Sequence, residues 1–520
     1  MEAVSLGVVW WRRSGLLWVA AAVVVFLVNY RLAATKPVDS DGASNVLQAA
    51  DLLHGNLLLR NWQVSDVSFY LTDLPLYAVL ALIFGTAPAV VHVGAAVMFT
   101  AVVLLSAALA RGRATGREAL IRVLLAGGIV FGAPHQLMGI KLLLSSPDHL
   151  STVVTALLVL LVADRTRLRY PVVIALATLA VISDLLTVVV LILPMALVCG
   201  LRAVRGLPGS RQDAALAGCV VASVPLALAV EALLRAFGGF TTYFPETGFA
   251  PAAQLFDDLT ITYQQLLTLF GADFTGMRLA PDVAGPLLHL AGFVLAVAGV
   301  AGTARRFDQA DRIEQILLAG TVANLAAFTL TTQAGATQSA REFLPVLAFS
   351  AVLAARRFAE PLTRLRLLPA LAAVLAGYLA VTAVALRRGQ GHIDQSPGLG
   401  NGTNTAAVAG WLRQHGLTYG LGSYWNASGV TVQSRDTVRV RPVLIGADGR
   451  LAVMDTEFDR TWYDENAHQA TFLVVRLNDT DVTNAAQAEY GPPTLVANVA
   501  ASTILVWPRN LLPIGPSPSR

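Results

Sequence analysis

Long apolar runs alternate with short polar segments along the first 390 residues of the chain. A helix of about 17 to 25 mostly apolar residues is long enough to cross the hydrocarbon core of a bilayer. The pattern therefore predicts a polytopic helical membrane domain with about eleven spans. These spans are expected near residues 14–32, 87–110, 120–134, 149–163, 171–182, 185–201, 214–236, 286–304, 313–332, 343–355 and 367–386.

One apolar run, residues 74–84, is too short for a full crossing. We expect it to form an interfacial helix at the outer membrane surface, after a polar outer loop over residues 34–73. This loop contains Trp62, Phe69 and Tyr70, and aromatic side chains favour the headgroup layer of a bilayer. Residues 1–390 are thus predicted to form one transmembrane domain that carries an outer loop and a surface helix.

The pattern changes after His392, where the long apolar runs stop. Residues 391–520 alternate short helical and strand-like segments, which predicts an exported α/β domain at the C-terminus. Helices are expected after Asn404 and at Thr480–Tyr490. Strands are expected at Thr418–Tyr424, Val430–Gln433, Val438–Ile445, Thr471–Leu477 and Ser502–Trp507.

Composition excludes a soluble protein of this size, because 55% of the 520 residues are hydrophobic and only 13% are charged. Abundant Ala and Gly, with far more arginine than lysine, are typical of a GC-rich bacterial genome. Cys199 and Cys219 fall in or beside predicted spans, so no disulfide framework is implied. Arg12 and Arg13 precede the first apolar run without a clear cleavage site, which predicts an uncleaved first span.

The arginines predict the orientation, because cytoplasmic loops carry an excess of positive charge. We expect a multi-pass protein of the bacterial inner membrane, with the N-terminus in the cytoplasm and the C-terminal domain outside. Its partner is then a lipid bilayer and not a nucleic acid. The predicted cytoplasmic loops contain Arg111, Arg113, Arg117, Arg165, Arg167, Arg169, Arg202, Arg205, Arg211, Arg305, Arg306, Arg312, Arg356, Arg357, Arg364 and Arg366. The predicted outer loops contain Asp39, Asp41, Asp66, Asp73, Asp148, Asp184, Asp257 and Asp258.

The segment from Asp39 to Asn56 carries the first candidate chemistry. Its apolar residues recur every three or four positions, which predicts an amphipathic helix opened by Asp41. Oxygens of Asp41 and Ser44 are suited to cap free backbone N–H groups at the helix start. Asp41 is therefore either a structural cap or a carboxylate at the membrane surface that takes a proton from a substrate.

Other ionisable residues begin the predicted fourth and tenth spans. Asp148 and His149 either cap a helix or bind a headgroup, a metal ion or a proton, since ionisable groups at membrane depth are usually functional. Arg341, followed by Glu342, either binds a phosphate or forms a salt bridge. Asp184 interrupts an apolar pattern, and we expect a plain turn there.

The exported domain offers aromatic residues but no motif for a cofactor. Tyr419, Tyr424 and Trp425 either stack on sugar rings or belong to the core. The sequence contains no phosphate-cradling glycine loop, cysteine-rich metal site or HExxH motif. No cofactor is therefore predicted, and the question of a divalent metal ion stays open.

The first outer loop resembles the GT-C superfamily of membrane glycosyltransferases, which includes protein O-mannosyltransferases and aminoarabinose transferases. In relatives this loop often begins with two acidic residues and ends in L-L-x-G. Here Asp41 takes the first acidic position, Gly42 replaces the second, and Leu52-Leu53 with Gly55 complete the motif. Asp39 would compensate for the missing acid.

Two further segments carry the same resemblance. The sequence Thr72-Asp73-Leu74-Pro75-Leu76-Tyr77 is similar to the P-P-L-Y segment that begins the interfacial helix in the superfamily. Pro147-Asp148 is similar to its second-loop acidic position. The resemblance covers most of residues 1–390 in topology and short stretches in motif.

The resemblance implies transfer of a sugar from a polyprenyl-phosphate donor to a glycan, lipid or protein acceptor on the outer face. Asp41 would act as general base, with Asp148 as the second catalytic candidate. A single principal carboxylate implies direct displacement with inversion. Arg341, Lys141 and His149 are expected to stabilise the leaving phosphate. The expected substrate-binding residues are Asp39, Tyr70, Asp73, Lys141, His149 and Arg341.

Two other classes of function remain open on the sequence. A transporter or flippase of lipid-linked sugars would favour charges within the spans and internal repeats, which are few here. A non-catalytic scaffold would rely on the exported domain, with Asp41 only capping a helix.

Overall fold

The structure is a computed structural model. It describes residues 2–135, 142–147, 149–165, 169–244, 247–274, 284–335, 339–388, 405–477 and 479–516.

Helices form most of the first 390 residues, as the apolar pattern predicted. A helix lies in each segment expected to span, and three more lie outside these segments: α2 within the first outer loop, α3 directly after it, and α10 in the long loop after α9. A short π-helix, Val188–Ile192, leads into α8. The helices are α1 (Glu2–Ala33), α2 (Ser40–Leu53), α3 (Asp73–Phe84), α4 (Pro88–Arg111), α5 (Gly116–Gly132), α6 (Leu150–Arg165), α7 (Arg169–Ser183), α8 (Leu193–Val204), α9 (Ser210–Ala236), α10 (Leu255–Leu269), α11 (Ala284–Ala304), α12 (Arg312–Thr329), α13 (Leu344–Arg364) and α14 (Leu368–Arg388).

Among the described residues, four helices have the length and apolar composition needed to cross a membrane. They are Gly15–Ala33, Pro88–Arg111, Ser210–Ala236 and Gly285–Ala304. The other segments expected to span are shorter or more polar, so the count of eleven crossings stays a prediction. The helix α3 has 12 residues and is about 18 Å long. This length suits a surface helix better than a crossing, and its place at the membrane surface also stays a prediction.

The helix α13 lies at the centre of the helical core. Every residue from Phe343 to Arg356 is buried, because α4, α5, α11 and α12 all pack around this helix. A Cβ atom on Gly299 of α11 would lie 2.6 Å from the Ala354 backbone, so only glycine allows this approach. The 3₁₀ turn Ser339–Phe343 leads directly into α13, so the core fixes the position of the residues at its start.

The tail forms a mixed sheet with helices on both sides. Its six strands are ordered β5-β4-β3-β7-β9-β8, with β3 parallel to β4 and β7, and with antiparallel β5, β9 and β8. Leu473 and Val475 face one core, and Phe472 and Val474 face the other, as expected from strand alternation. The strands are β3 (Tyr419–Ser423), β4 (Arg439–Ile445), β5 (Leu451–Val453), β7 (Phe472–Arg476), β8 (Leu495–Val499) and β9 (Ser502–Val506), and the helices are α15 (Thr405–Gln414), α16 (Tyr424–Gln433) and α17 (Thr480–Tyr490).

One predicted strand in this tail is wrong. Val430–Gln433 belongs to the helix α16, which packs against α2, α15 and β4. Residues from Asn426 to Val432 are all buried there. Three-sided packing therefore outweighs the strand preference of the β-branched residues in this segment.

A second, small sheet joins the tail to two outer segments of the helical domain. Its order is β2 (Thr241–Thr242), β1 (Trp62–Val64) and β6 (Phe458–Asp459). The Trp62 and Trp462 rings meet edge to face with their centroids 5.0 Å apart, next to this sheet. The Gln63 side chain donates a hydrogen bond to the Asp455 carbonyl at 2.6 Å. The first outer loop and the tail therefore pack against each other directly.

Candidate functional site

The helix α2 is capped by Asp39. Asp39 Oδ1 accepts a hydrogen bond from the Gly42 backbone N–H at 2.9 Å, so the prediction that Asp41 and Ser44 cap this helix is wrong. Extended backbone at Asp39 lets its short side chain fold back over the first turn, which places the cap one residue before the helix. Asp41 lies inside the first turn, and its carboxylate bonds to groups from other parts of the chain.

Two long-range partners hold the Asp41 carboxylate. Arg341 Nη1 donates to Asp41 Oδ2 at 3.2 Å, and the Tyr424 hydroxyl donates to Asp41 Oδ1. Arg341 lies in the 3₁₀ turn before α13, and Tyr424 begins α16. Asp41 thus lies where the first outer loop, the helical core and the tail meet.

A cavity of about 1140 Å³ opens at this meeting point. Its walls combine ionisable side chains with apolar ones, as is common in sites that bind an amphipathic ligand. The ionisable lining residues are Asp41, Asp66, His149, Asp184, Arg341, Glu342, Tyr424 and Glu457. The apolar lining residues include Val67, Phe69, Leu185, Leu186, Val189, Phe244, Ala327, Phe328, Trp425 and Met454.

His149 and Asp184 form a buried ion pair in this cavity. Their Nδ1 and Oδ2 atoms are 2.7 Å apart, and Asp184 also accepts from the Thr152 hydroxyl and the Leu186 backbone N–H. Burial lowers the pKa of His149, but the charge of Asp184 more than offsets this and raises it to about 9. The expectation of a plain turn at Asp184 was therefore incomplete, because a buried carboxylate needs donors and finds them here.

Two more acids line the cavity beside this pair. Burial raises the pKa of the Asp66 and Glu342 carboxyls, although the positive charges of His149 and Arg341 oppose the rise. A carboxyl whose pKa is raised keeps its proton to a higher pH and adds less negative charge to the cavity. Arg341 and His149 thus remain the positive groups in the described part of its wall.

The tail adds Glu457 to the cavity, and nothing in the local sequence pointed to it. Glu457 Oε2 lies 2.6 Å from the Tyr424 hydroxyl oxygen, and only 4% of the residue surface is exposed. Glu457 directly precedes β6, so its place depends on the pairing of β6 with β1. Tyr424 had a weak signal in the sequence, because it is the last residue of a predicted strand, and sites often form at the carboxyl ends of strands.

The predicted site residues fall into four groups, of which Tyr70 and Asp73 form the last. Asp41, His149 and Arg341 line the cavity. Asp39 lies next to it as the cap of α2, where Ser145 donates to its other oxygen at 3.3 Å. Lys141 and Asp148 fall outside the described residues, and their roles stay predictions.

Tyr70 and Asp73 do not line the cavity. The Tyr70 hydroxyl donates to the Leu57 carbonyl at 2.5 Å, and its ring packs on Phe240. Asp73 is buried in the first turn of α3, where it accepts from the Thr72 hydroxyl at 2.9 Å. Both residues stabilise the outer loop, and their predicted contact with substrate stays a prediction.

No group of three or more metal-binding side chains occurs within the described ranges. The carboxylates of the cavity instead bond to arginine, histidine, tyrosine and threonine. The geometry is therefore suited to proton transfer and to the binding of an anion beside Arg341 and His149.

Known structures with the same fold have been solved for ArnT, an aminoarabinose transferase, from Cupriavidus metallidurans. The structure of ArnT bound to undecaprenyl phosphate has a TM-score of 0.53 and 15% identity, and the match covers 94% of this chain and 97% of that chain. The apo structure of ArnT has a TM-score of 0.52 and 14% identity, with 95% and 98% covered.

Neither a protein-family model nor a curated protein matches the sequence. The likeness to ArnT is therefore one of fold, and it extends over nearly the whole of both chains. It confirms the architecture that the motifs of the first outer loop predicted. The chain has the fold of ArnT, in agreement with the resemblance that its first outer loop carries.

Proposed function

We propose that this protein is a glycosyltransferase that moves a sugar from a polyprenyl-phosphate donor to an acceptor at the outer face of the bacterial inner membrane. The observation that carries the proposal is that Asp41, Arg341 and His149 share one cavity with apolar walls. A carboxylate suits a general base, and two cations suit a leaving phosphate.

Asp41 would accept the proton of the acceptor hydroxyl as its oxygen attacks the anomeric carbon of the sugar. The new carbon–oxygen bond forms while the bond from that carbon to the phosphate oxygen breaks, and the electron pair leaves with the phosphate. The hydroxyl that Asp41 activates attacks the anomeric carbon in a single displacement. The anomeric configuration therefore inverts. Before substrate binds, Asp41 is already oriented by Arg341 and Tyr424.

Arg341 and His149 would hold the phosphate of the donor. The planar guanidinium of Arg341 matches phosphate oxygens in two-point contacts. His149 carries its charge at neutral pH, because Asp184 raises its pKa to about 9. Charge-assisted hydrogen bonds from both groups would stabilise the phosphate as it gains charge on leaving.

The apolar wall of the cavity would receive the first isoprene units of the donor. Leu185, Leu186 and Val189 line one part of it, and Ala327 and Phe328 of α12 line another. The ArnT structure with the same fold was solved with undecaprenyl phosphate. An amphipathic donor of this kind suits a cavity that has cations at one end and apolar side chains along its walls.

The distribution of arginines supports the proposed orientation. His149 precedes α6 and lines the cavity, whereas Arg165 ends α6 about 24 Å away. Two more arginines lie at the Arg165 end of the helical bundle, where Arg312 pairs with Asp213 and Arg356 pairs with Asp311. If this basic end faces the cytoplasm, the cavity opens at the outer face.

The proposal is tested with purified wild-type protein and Asp41→Asn, each given a panel of polyprenyl-phosphate sugars and cell-envelope acceptors. The readout is release of polyprenyl phosphate. We expect release by the wild type and a loss of about 100-fold or more in Asp41→Asn, as for a general base. Asp257→Asn, an exposed change on α10, serves as the matched control.

Each outcome separates the alternatives. Equal release by Asp41→Asn and wild type would remove Asp41 as the base. No release by the wild type from any donor would favour the transporter, and a flipping assay in liposomes would then decide between them.

A further inference from the structure

We infer that Tyr424 and a protonated Glu457, both from the C-terminal tail, act as a hydrogen-bonded relay that positions the Asp41 carboxylate. The inference rests on the proposed function, since it assigns positioning residues to the proposed base. It also makes the tail part of the site, beyond any role in recognising an acceptor.

The geometry places one hydroxyl between two carboxyl groups. The Tyr424 oxygen is within hydrogen-bonding distance of Asp41 Oδ1 and lies 2.6 Å from Glu457 Oε2. Arg341 donates to the other oxygen of Asp41 at 3.2 Å. Asp41 is thus held on both oxygens by groups that are distant in the sequence.

The number of available protons determines which group donates in each hydrogen bond of the relay. A tyrosine hydroxyl has one proton and can donate to only one of the two carboxyl groups. The second contact needs a proton on the other carboxyl, because two oxygens without a proton between them repel at this distance. Arg341 pairs with Asp41, so Asp41 is the ionised group. Glu457 then donates to Tyr424, and Tyr424 donates to Asp41.

The surroundings of Glu457 favour its neutral form. Burial first, and then the negative charge of Asp41, raise the pKa of Glu457 well above its usual range. Asp39 adds to this rise, whereas the hydrogen bond between Glu457 and Tyr424 and the charge of Arg341 oppose it. Burial first, and then the negative charge of Asp41, also raise the pKa of Tyr424, so its hydroxyl keeps its proton.

The backbone holds both residues in place. Ser40 of α2 donates a hydrogen bond to the Tyr424 carbonyl, which ties the start of α16 to the start of α2. Glu457 has a φ of +58°, a left-handed conformation that a residue with a Cβ adopts only when its surroundings impose it. Glu457 directly precedes β6, which pairs with β1 of the first outer loop. The relay therefore forms only when the tail is docked on the first outer loop.

The relay predicts how activity depends on pH. Below its raised pKa, Glu457 is neutral and donates to Tyr424. As pH rises through that value, Glu457 loses its proton to solvent, and a second negative charge competes with Asp41 for the single tyrosine proton. Asp41 is then less well oriented, so kcat falls on the alkaline side. His149 loses its charge at about pH 9 and adds its own alkaline fall, so a variant must separate the two effects.

Glu457→Gln makes that separation, because its amide donates to Tyr424 but does not titrate. We measure kcat for polyprenyl phosphate release from about pH 5 to about pH 10 for wild type, Glu457→Gln, Glu457→Ala and Tyr424→Phe. Glu465→Gln, an exposed change in the same tail, is the matched control.

We expect Glu457→Gln to lose the alkaline fall due to Glu457, with a decrease in kcat of less than about threefold on the acid side. Glu457→Ala and Tyr424→Phe should lower kcat by about tenfold, with KM for the donor changed by less than about twofold. A decrease in kcat of Glu457→Ala and Tyr424→Phe no larger than that of Glu465→Gln would overturn the inference. A loss in Glu457→Gln equal to that in Glu457→Ala at every pH would also overturn it.

A second measurement does not depend on turnover. The infrared spectrum of wild type minus that of Glu457→Gln should show the carbonyl stretch of a protonated carboxylic acid, because the subtraction removes the bands of acids that both proteins share, such as Asp66 and Glu342. Absence of this band from the difference between the two proteins would overturn the inference even if the enzyme is active. If the wild type shows the band but releases no polyprenyl phosphate, the proposed function fails and the protonation of Glu457 stands.

Discussion

Arg341 Nη1 donates a hydrogen bond to Asp41 Oδ2 at 3.2 Å, although 300 residues separate the two in the sequence. Both side chains line the same cavity, and each is more than half buried. In the proposed reaction Asp41 takes a proton while Arg341 meets the leaving phosphate. A bound phosphate would therefore compete with Asp41 for the guanidinium, which frees the base when the donor is in place.

The first prediction concerns the shape of the Arg341 side chain. Arg341→Gln should lower kcat by about 100-fold, because the leaving phosphate loses a charged donor. Arg341→Lys should recover part of this loss, since it restores the charge but not the two-point contact. Initial rates of polyprenyl phosphate release measure both variants.

Arg305→Gln, an exposed change, is the control for the loss of one positive charge. If Arg341→Gln and Arg305→Gln retain the same kcat, the phosphate contact assigned to Arg341 is wrong.

The second prediction concerns the charge of His149. Its pKa is raised to about 9, so the imidazolium is present below that pH and is lost above it. Polyprenyl phosphate should therefore bind more weakly as pH rises through about 9, and His149→Gln should lack this change. Calorimetric titration of the purified protein at several pH values measures it.

His54→Gln is the control, because His54 is exposed at the end of α2. A wild-type affinity that is constant through this pH range would show that the charge of His149 does not hold the phosphate.

The third prediction concerns the stability provided by Asp184. Asp184→Ala leaves the buried His149, the Thr152 hydroxyl and the Leu186 N–H without their acceptor. Breaking a buried ion pair in this way lowers the free energy of unfolding by about 3 to 5 kcal/mol. Thermal unfolding in detergent should show a lower midpoint for this variant, and Asp257→Ala on the exposed side of α10 should unfold like wild type.

The stability of this pair should also depend on pH. Because the pKa of His149 is raised, the pair contributes fully below the ordinary pKa of histidine and is lost as pH rises through about 9. The midpoint of wild type should fall across this interval. A midpoint of Asp184→Ala that falls equally across it would contradict the assignment.

The fourth prediction concerns docking of the tail. Trp62 is 2% exposed, its ring meets Trp462, and its Nε1 donates to Asp51 at 2.8 Å. Trp62→Ala should lower the free energy of unfolding by about 3 to 5 kcal/mol. It should also lower kcat as Tyr424→Phe does, because the pairing of β1 with β6 holds the segment that contains Glu457 against the first outer loop.

Thermal unfolding and initial rates measure these two effects of Trp62→Ala. Trp411→Ala is the control, since Trp411 stacks on His415 within the tail. If Trp62→Ala is destabilised but keeps the kcat of wild type, docking of the tail stabilises the fold and does not position the residues of the site.

Local patterns in the sequence were enough to predict most of the helices and the edges of several strands. Apolar runs placed a helix in every expected span, and alternation placed β3, β4 and β7 within a residue or two. The helix α10 in the long loop after α9 was not predicted, because its polar residues Asp258, Thr262 and Gln265 are buried and its apolar Phe256 is exposed. A pattern of buried polar and exposed apolar residues does not predict a helix until the neighbours of that helix are known.

The sequence by itself also determined that Asp41 and Arg341 were candidates. An ionisable side chain beside an apolar run costs free energy at membrane depth, and such residues usually have a function. Tertiary structure alone decided that Asp39 caps α2, that Asp184 pairs with His149, and that Tyr424 reaches Asp41 across 383 residues. The physical reason is the range of the forces involved. Helices and turns form through hydrogen bonds between residues three or four positions apart, so a sequence pattern reveals them. The site forms where three distant segments pack together, and only the packing of the whole chain brings their charges within hydrogen-bonding distance.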